Sequence, residues 1–145
     1  MDFGNEGNLI LLVVDSDEDA VSFMAALKAS RLRNSLYLVN GGADAIRYLS
    51  ARKPFGDREK FPLPAVLMPD LALLRKKAWR VLKWVRARAH LDGILVVVLS
   101  GPTPSPDLNR AYQMGANSFL AKPCVAQELL RLATVFPQYL HESVN

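Results

Sequence analysis

Cysteine is nearly absent from this chain: Cys124 stands alone among 145 residues, so no internal disulfide framework can form and a reducing, cytoplasmic setting is expected. Long apolar runs are missing too. Crossing a bilayer takes roughly 20 consecutive apolar residues, and no stretch of the sequence comes near that, so no membrane segment is expected. The opening residues Met1-Asp2-Phe3-Gly4-Asn5-Glu6-Gly7-Asn8 lack the basic segment of a signal peptide and read as a flexible N-terminus over residues 1–8. Histidine is scarce: His90 and His141 lie far apart, and Cys124 has no neighbouring cysteine, which leaves no zinc-ligand spacing. Neither Gly-x-x-x-x-Gly-Lys nor Gly-x-Gly-x-x-Gly occurs, which argues against nucleotide chemistry.

What is present is a composition able to build a core, with 50% hydrophobic and 22% charged residues. Residues 1–145 read as a single domain. Strand-like and helix-like segments alternate, the signature of a parallel sheet wrapped by helices. Strands are expected at 9–14, 35–39, 65–70, 94–99 and 118–121, and helices at 18–31, 43–51, 78–88, 107–114 and from about 126. The run at 9–14 is too apolar for an edge and reads as a buried central strand. Ser16 and Asp17 offer caps for the first helix, with Val21, Met24 and Leu27 or Lys28 spaced along one face. Ile46 and Leu49 are expected to be buried, and Val81, Leu82 and Val85 to face the sheet. Gly115 supplies a helix stop, while Pro137 must kink the last helix or start a new turn, leaving 137–145 as a tail. Residues 53–64, rich in proline and charge, read as an extended, exposed connection. The sum is an α/β chain of the flavodoxin-like (βα)5 kind: a three-layer sandwich with a parallel five-stranded sheet, right-handed crossovers and, by analogy with that fold, strand order 2-1-3-4-5.

A net charge of +4 is modest and partly local, because Arg75, Lys76, Lys77, Arg80, Lys83, Arg86 and Arg88 crowd one stretch. That stretch is either a solvated helix face or a docking surface for an acidic partner. It fits no base-reading or RNA-stacking motif, so nucleic acid is not an expected partner. Trp79 and Trp84 within it are expected to pack on the core.

Four polar residues stand at the carboxyl ends of four of the strands: Asp15, Asp70, Ser100 and Lys122. In an open parallel sheet those ends converge on one crevice where ligands bind. Two carboxylates, a hydroxyl and an ammonium gathered there suit a divalent cation and a phosphoryl group. Singly, each has an ordinary explanation: a helix cap for Asp15, a loop hydroxyl for Ser100, a solvated lysine for Lys122. Their joint placement carries the argument.

The segments Ile10-Leu11-Leu12-Val13-Val14-Asp15-Ser16, Pro64-Ala65-Val66-Leu67-Met68-Pro69-Asp70-Leu71-Ala72-Leu73, Val98-Leu99-Ser100-Gly101 and Gly115-Ala116-Asn117-Ser118-Phe119-Leu120-Ala121-Lys122-Pro123 resemble, in order and spacing, those of two-component response-regulator receiver domains (CheY-like). The resemblance covers nearly the whole chain. Asn40-Gly41-Gly42-Ala43-Asp44-Ala45, the long loop before the third strand and Phe136-Pro137-Gln138-Tyr139-Leu140 are similar to the single-domain type that works with phytochrome-like histidine kinases. The resemblance implies that Asp70 accepts a phosphoryl group from a histidine kinase. It further implies that Asp15, Asp70 and the Ala72 backbone carbonyl hold Mg2+, a cation that prefers oxygen ligands. Lys122 would pair with the acyl phosphate, the Ser100 hydroxyl would swing toward it, and Phe119 would turn inward as the aromatic switch. The Lys122-Pro123 bond is expected to be cis. By the same resemblance the chain is a signalling protein rather than an enzyme, a stand-alone receiver with no output domain. It would dock, or form a homodimer, through its fourth helix, fifth strand and fifth helix, with contributions from Tyr112, Met114, Leu129 and Tyr139. A haloacid-dehalogenase-type phosphatase needs a second acid two residues after its aspartate, where Ala72 stands.

Some positions depart from the receiver pattern. Val14 replaces one of two usual acids, a loss expected to weaken Mg2+ binding about 10- to 100-fold. Pro69 removes a donor from a central strand, and Leu74 and Ala78 stand where proline and glycine are common. Ala72 and Pro102, two positions past Asp70 and Ser100, cannot hydrogen-bond a hydrolytic water through their side chains, so any phosphorylated form is expected to be long-lived. These departures keep a second reading open: a phosphorylation-independent receiver that binds proteins through its basic third helix.

Overall fold

The apolar runs pair into one parallel sheet. In the computed structural model, which describes residues 8–73, 79–101 and 106–143, the strands are β1 (Leu9–Val13), β2 (Ser35–Val39), β3 (Val66–Pro69), β4 (Leu95–Ser100) and β5 (Ser118–Ala121). Their order is β2-β1-β3-β4-β5, as expected for a flavodoxin-like α/β fold. The helices are α1 (Asp17–Ser30), α2 (Gly42–Leu49), α3 (Trp79–Arg86), α4 (Pro106–Gln113) and α5 (Ala126–Val135), with single turns at Leu71–Leu73 and Ala89–Leu91. Period-two alternation sends Leu11, Val13, Leu67, Val96 and Val98 to the face covered by α2, α3 and α4. Ile10, Leu12, Met68, Val97 and Leu99 go to the face covered by α1 and α5. With helices on both faces, β1, β3 and β4 are buried throughout. No helix among the described residues is long and apolar enough to cross a membrane.

Two local expectations need correction. On α1 the buried stripe is Ala20, Phe23, Ala26 and Leu27, whereas Val21 and Met24 are 65% and 50% exposed. Phe23, only 2% exposed, is the largest side chain of that stripe and joins the core cluster on this face of the sheet. Residues 53–64 are not a simple exposed connection either. Phe55 is buried, and its ring meets Tyr37, Tyr48 and Phe61 at centroid distances of 5.9, 5.1 and 5.2 Å. Such tilted and edge-on pairs add to burial energy. Arg58 pins the segment by donating to the carbonyls of Tyr48, Leu49 and Phe61, and the Tyr48 hydroxyl donates to the Pro62 carbonyl at 2.8 Å. Burial pushes the Tyr48 phenol up to about 12.

Pro69 has a visible consequence in the sheet. The Asp70 N–H donates to the Val13 carbonyl, toward β1, so position 69 faces β4, where proline has no N–H to give. The β3–β4 ladder accordingly pairs only Val66 with Leu95 and Leu67 with Val96, then resumes in the same register as a lone bridge from Asp70 to Leu99. Asp70 therefore keeps its place at the strand end.

The chain ends are tied together by Asn34, which is buried. Its amide donates to the carbonyls of Asn8 and Tyr139 at 2.8 Å each and accepts from the His141 N–H at 2.8 Å. After α5 the chain turns at Phe136, whose carbonyl accepts from Tyr139 and Leu140, so Pro137 begins a new turn. Gly115 stops α4 at φ +110° as expected. A Cβ there would lie 2.6 Å from Cγ of Arg86, so both the dihedral and the close approach require glycine.

Candidate functional site

The strand ends gather an aspartate and a lysine into direct contact. Asp70, one residue past β3, is only 3% exposed. Lys122, one residue past β5, donates from Nζ to Asp70 Oδ2 at 2.6 Å. The Lys122 backbone N–H donates to the Ser100 carbonyl at 2.7 Å, which anchors this lysine to the end of β4. The following bond, Lys122-Pro123, is cis as expected. The other Asp70 oxygen, Oδ1, accepts the Ala72 N–H at 2.8 Å within the turn that leaves β3. A nearly buried carboxylate is thus paired with one ammonium and oriented by one backbone donor, the partners that a buried acid needs.

A third group takes part that sequence reasoning missed. Nζ of Lys122 also donates to Asp19 Oδ2 at 3.2 Å, across from the first turn of α1. Nothing in the strand-end pattern pointed to Asp19, which lies among three acids that a helix N-terminus favours anyway. The usable signal was helical spacing: α1 opens at Asp17 behind its Ser16 cap, so Asp19 falls on the turn beside the crevice. Burial disfavours the Lys122 ammonium, but the hydrogen bond and charge of Asp70, then those of Asp19, outweigh it and hold the lysine above its ordinary value.

The remaining expected site residues stand apart from this contact. Asp15, two residues past β1, is exposed and has no ion pair or hydrogen bond among the described residues. Val14, read as standing in place of one of two usual acids, is buried. The Ser100 hydroxyl is buried and points to its neighbour, donating to the Gly101 carbonyl at 3.3 Å, not to Asp70 or Lys122. Phe119 is exposed on the outer face of β5. Leu74, Ala78 and Pro102 lie outside the described residues, as do Arg75, Lys76, Lys77, the Trp79 side chain and residues 1–7. Cys124 is buried beside the site, and burial pushes its thiol up to about 11.

The donor set can be tested against a divalent cation. Among the described residues no three His, Cys, Asp or Glu side chains converge on one point. Asp15 and Asp70 nevertheless leave adjacent strands, since Val13 pairs with Pro69. Each Asp70 oxygen keeps acceptor capacity beyond its one bond. Asp19 and Asp70 face a single ammonium, so this contact holds one more acid than base. Two carboxylates with the Ala72 carbonyl close by in the chain form an all-oxygen set, which fits a hard divalent ion that retains several waters.

The basic stretch is less available than its residue count implied. Arg86 donates to the Gly115 carbonyl at 2.8 Å, Asn117 Oδ1 at 3.0 Å, and the carbonyls of Ile94 and Asp92 at 3.2 and 3.3 Å. Arg88 lies 3.8 Å over the Trp84 ring, which packs against the core, and donates to the Trp84 carbonyl. Arg80 and Lys83 remain exposed. On the other surface expected to dock partners, Tyr112 is exposed, Met114 and Tyr139 are half-buried, and Leu129 is fully buried, so Leu129 cannot contribute.

No protein-family profile matches the chain. Individual relatives do. Response regulator Rcp1 of Synechocystis sp. is 28% identical over 144 residues, covering 99% of this chain and 96% of that protein. The solved structure of the bacteriophytochrome response regulator RtBRR is 31% identical, covers 95% of this chain and 81% of its own, and superposes with a TM-score of 0.77. The Mn2+-bound form of Rcp1 is 26% identical, with 91% and 93% covered and a TM-score of 0.69.

Proposed function

The chain belongs to the two-component response regulators with a CheY-like receiver domain, of the kind that includes the phytochrome response regulators, and from that premise we propose that residues 1–145 work as one receiver whose Asp70 accepts a phosphoryl group from a histidine kinase. The observation that carries this reading is the 2.6 Å contact between Lys122 and a nearly buried Asp70 at the carboxyl ends of β5 and β3. A buried carboxylate at a ligand-binding strand end, paired with a flexible lysine side chain, is a nucleophile that a partner can uncover.

In the transfer, an Asp70 oxygen forms the O–P bond as the N–P bond of a phosphohistidine breaks. The electron pair leaves with the imidazole nitrogen, which then takes a proton from water. Lys122 moves its ammonium from the carboxylate to the phosphoryl oxygens, and the Ala72 N–H stays on the acyl group. Asp15 and Asp70 with the Ala72 carbonyl would hold Mg2+, which supplies charge neutralisation of the loose, equatorially charged transition state. The Mn2+-bound form of the relative Rcp1 supports divalent-ion binding by this chain. With Val14 in place of a second acid, binding is expected to be weak.

The signal leaves through the face of α4, β5 and α5, where Tyr112, Phe119 and Val125 are exposed. A second copy of the chain or a downstream protein docks there, and the Ser100 hydroxyl and Phe119 change position when Asp70 is phosphorylated. The competing reading, a phosphorylation-independent module acting through the basic third helix, has less support because Arg86 and Arg88 are engaged internally. Beryllium fluoride with saturating Mg2+ separates the two. The receiver reading predicts a tryptophan-fluorescence or amide-resonance change that Asp70→Asn abolishes, whereas the module reading predicts silence.

A further inference from the structure

We propose that Asp19 is a positioning residue for the phosphoryl-transfer site: it holds the Lys122 ammonium from the solvent side while Asp70 holds it from within. This rests on the reading of Asp70 as phosphoacceptor and deepens it.

The geometry has three parts. Lys122 bridges two carboxylates from different layers, 2.6 Å from Asp70 at the end of β3 and 3.2 Å from Asp19 on α1. The two acids differ in exposure, with the Asp70 side chain at 4% and that of Asp19 at 30%. The bridge therefore runs from the interior to the mouth of the crevice. Finally, the end of β1 offers one carboxylate, Asp15, preceded by the buried and apolar Val14. The second acid that acts on the site comes from α1 instead.

A lysine on a four-carbon stem has many rotamers, and one partner fixes its ammonium poorly. A second acceptor on a rigid helix narrows that freedom before the phosphoryl donor arrives, which is how a supporting residue contributes to rate. Asp19 does this without touching the transferred group. Its backbone N–H is already bonded to the Ser16 hydroxyl, so the first turn of α1 is fixed independently of the carboxylate.

The test compares wild type, Asp19→Asn and Asp19→Glu with two readouts. The first is the rate of Asp70 phosphorylation by a small acyl-phosphate donor, taken across Mg2+ concentrations to saturation. The second is the Lys122 Cε/Hε resonance in the unphosphorylated protein. Asp19→Asn keeps the side-chain shape, and the expected result is a rate lower by on the order of 10-fold at saturating Mg2+, comparable to losing an orienting partner behind a ligand. The Lys122 resonance shifts with it, and Asp19→Glu restores most of both. An unchanged resonance overturns the proposal, and so does a rate defect that disappears at saturating Mg2+, which would assign Asp19 to the cation instead. If wild type takes no phosphoryl group at all, the phosphoacceptor reading fails. The resonance still decides whether Asp19 holds Lys122.

Discussion

Replacing Lys122 by methionine is expected to slow phosphorylation of Asp70 by on the order of 10²–10³, the cost of removing one donor aimed at developing oxyanion charge. Methionine keeps most of the stem and removes the ammonium, so packing beside Pro123 and Cys124 is retained. The same substitution leaves the Asp70 carboxylate, only 3% exposed, with the Ala72 N–H as its described partner. An uncompensated buried charge costs about 3–5 kcal/mol. Chemical denaturation at neutral pH should therefore show a clear loss of stability. The sign with pH follows from the raised lysine. A cationic group titrating above its ordinary 10.5 contributes its full stabilisation below that value and loses it as pH rises past it. The wild-type profile should fall on the alkaline side, and the Lys122→Met profile should lack that component. An unchanged transfer rate would exclude Lys122 from the reaction.

The phosphorylated form is expected to persist. Hydrolysis of an aspartyl phosphate needs a water held in line with the phosphorus, and a positioned polar group contributes typically about 10²–10⁴-fold to such a step. At position 72 the side chain is a methyl group, and the residue offers the site its N–H, already bonded to Asp70 Oδ1. Pro102, the other position from which such a group would act, lies outside the described residues, but proline has no polar side chain in any conformation. After the donor is removed, decay of the phosphorylated mass should be slow, and Ala72→Asn should accelerate it without altering the backbone bond. Loss within seconds in the wild type would contradict this.

Much of the architecture was readable from residue pattern because parallel sheets leave a strong mark. Runs such as 9–14 and 94–99 are apolar at every position, since both faces of a central strand are covered. Strand ends followed from where those runs met polar residues, so the placement of Asp70 and Lys122 was legible as well. What failed depended on tertiary choice. Val21 and Met24 fit a helical stripe as well as Phe23 does, and only packing against the rest of the core separates the buried Phe23 from the exposed pair. Residues 53–64 carry the charges and prolines of a surface loop, yet Phe55 and Phe61 find Tyr37 and Tyr48 across the chain. Likewise, nothing local separates the engaged Arg86 from the exposed Lys83 three residues before it. Asp19 was hidden because an acid in a first helical turn already has an ordinary explanation.

The most direct test of the account is intact mass after incubation with a small acyl-phosphate donor and saturating Mg2+, followed by peptide mapping. The account predicts a gain of one phosphoryl group, located on the peptide that contains Asp70 and absent in Asp70→Asn. No gain under those conditions, or a gain that survives the substitution, would contradict it.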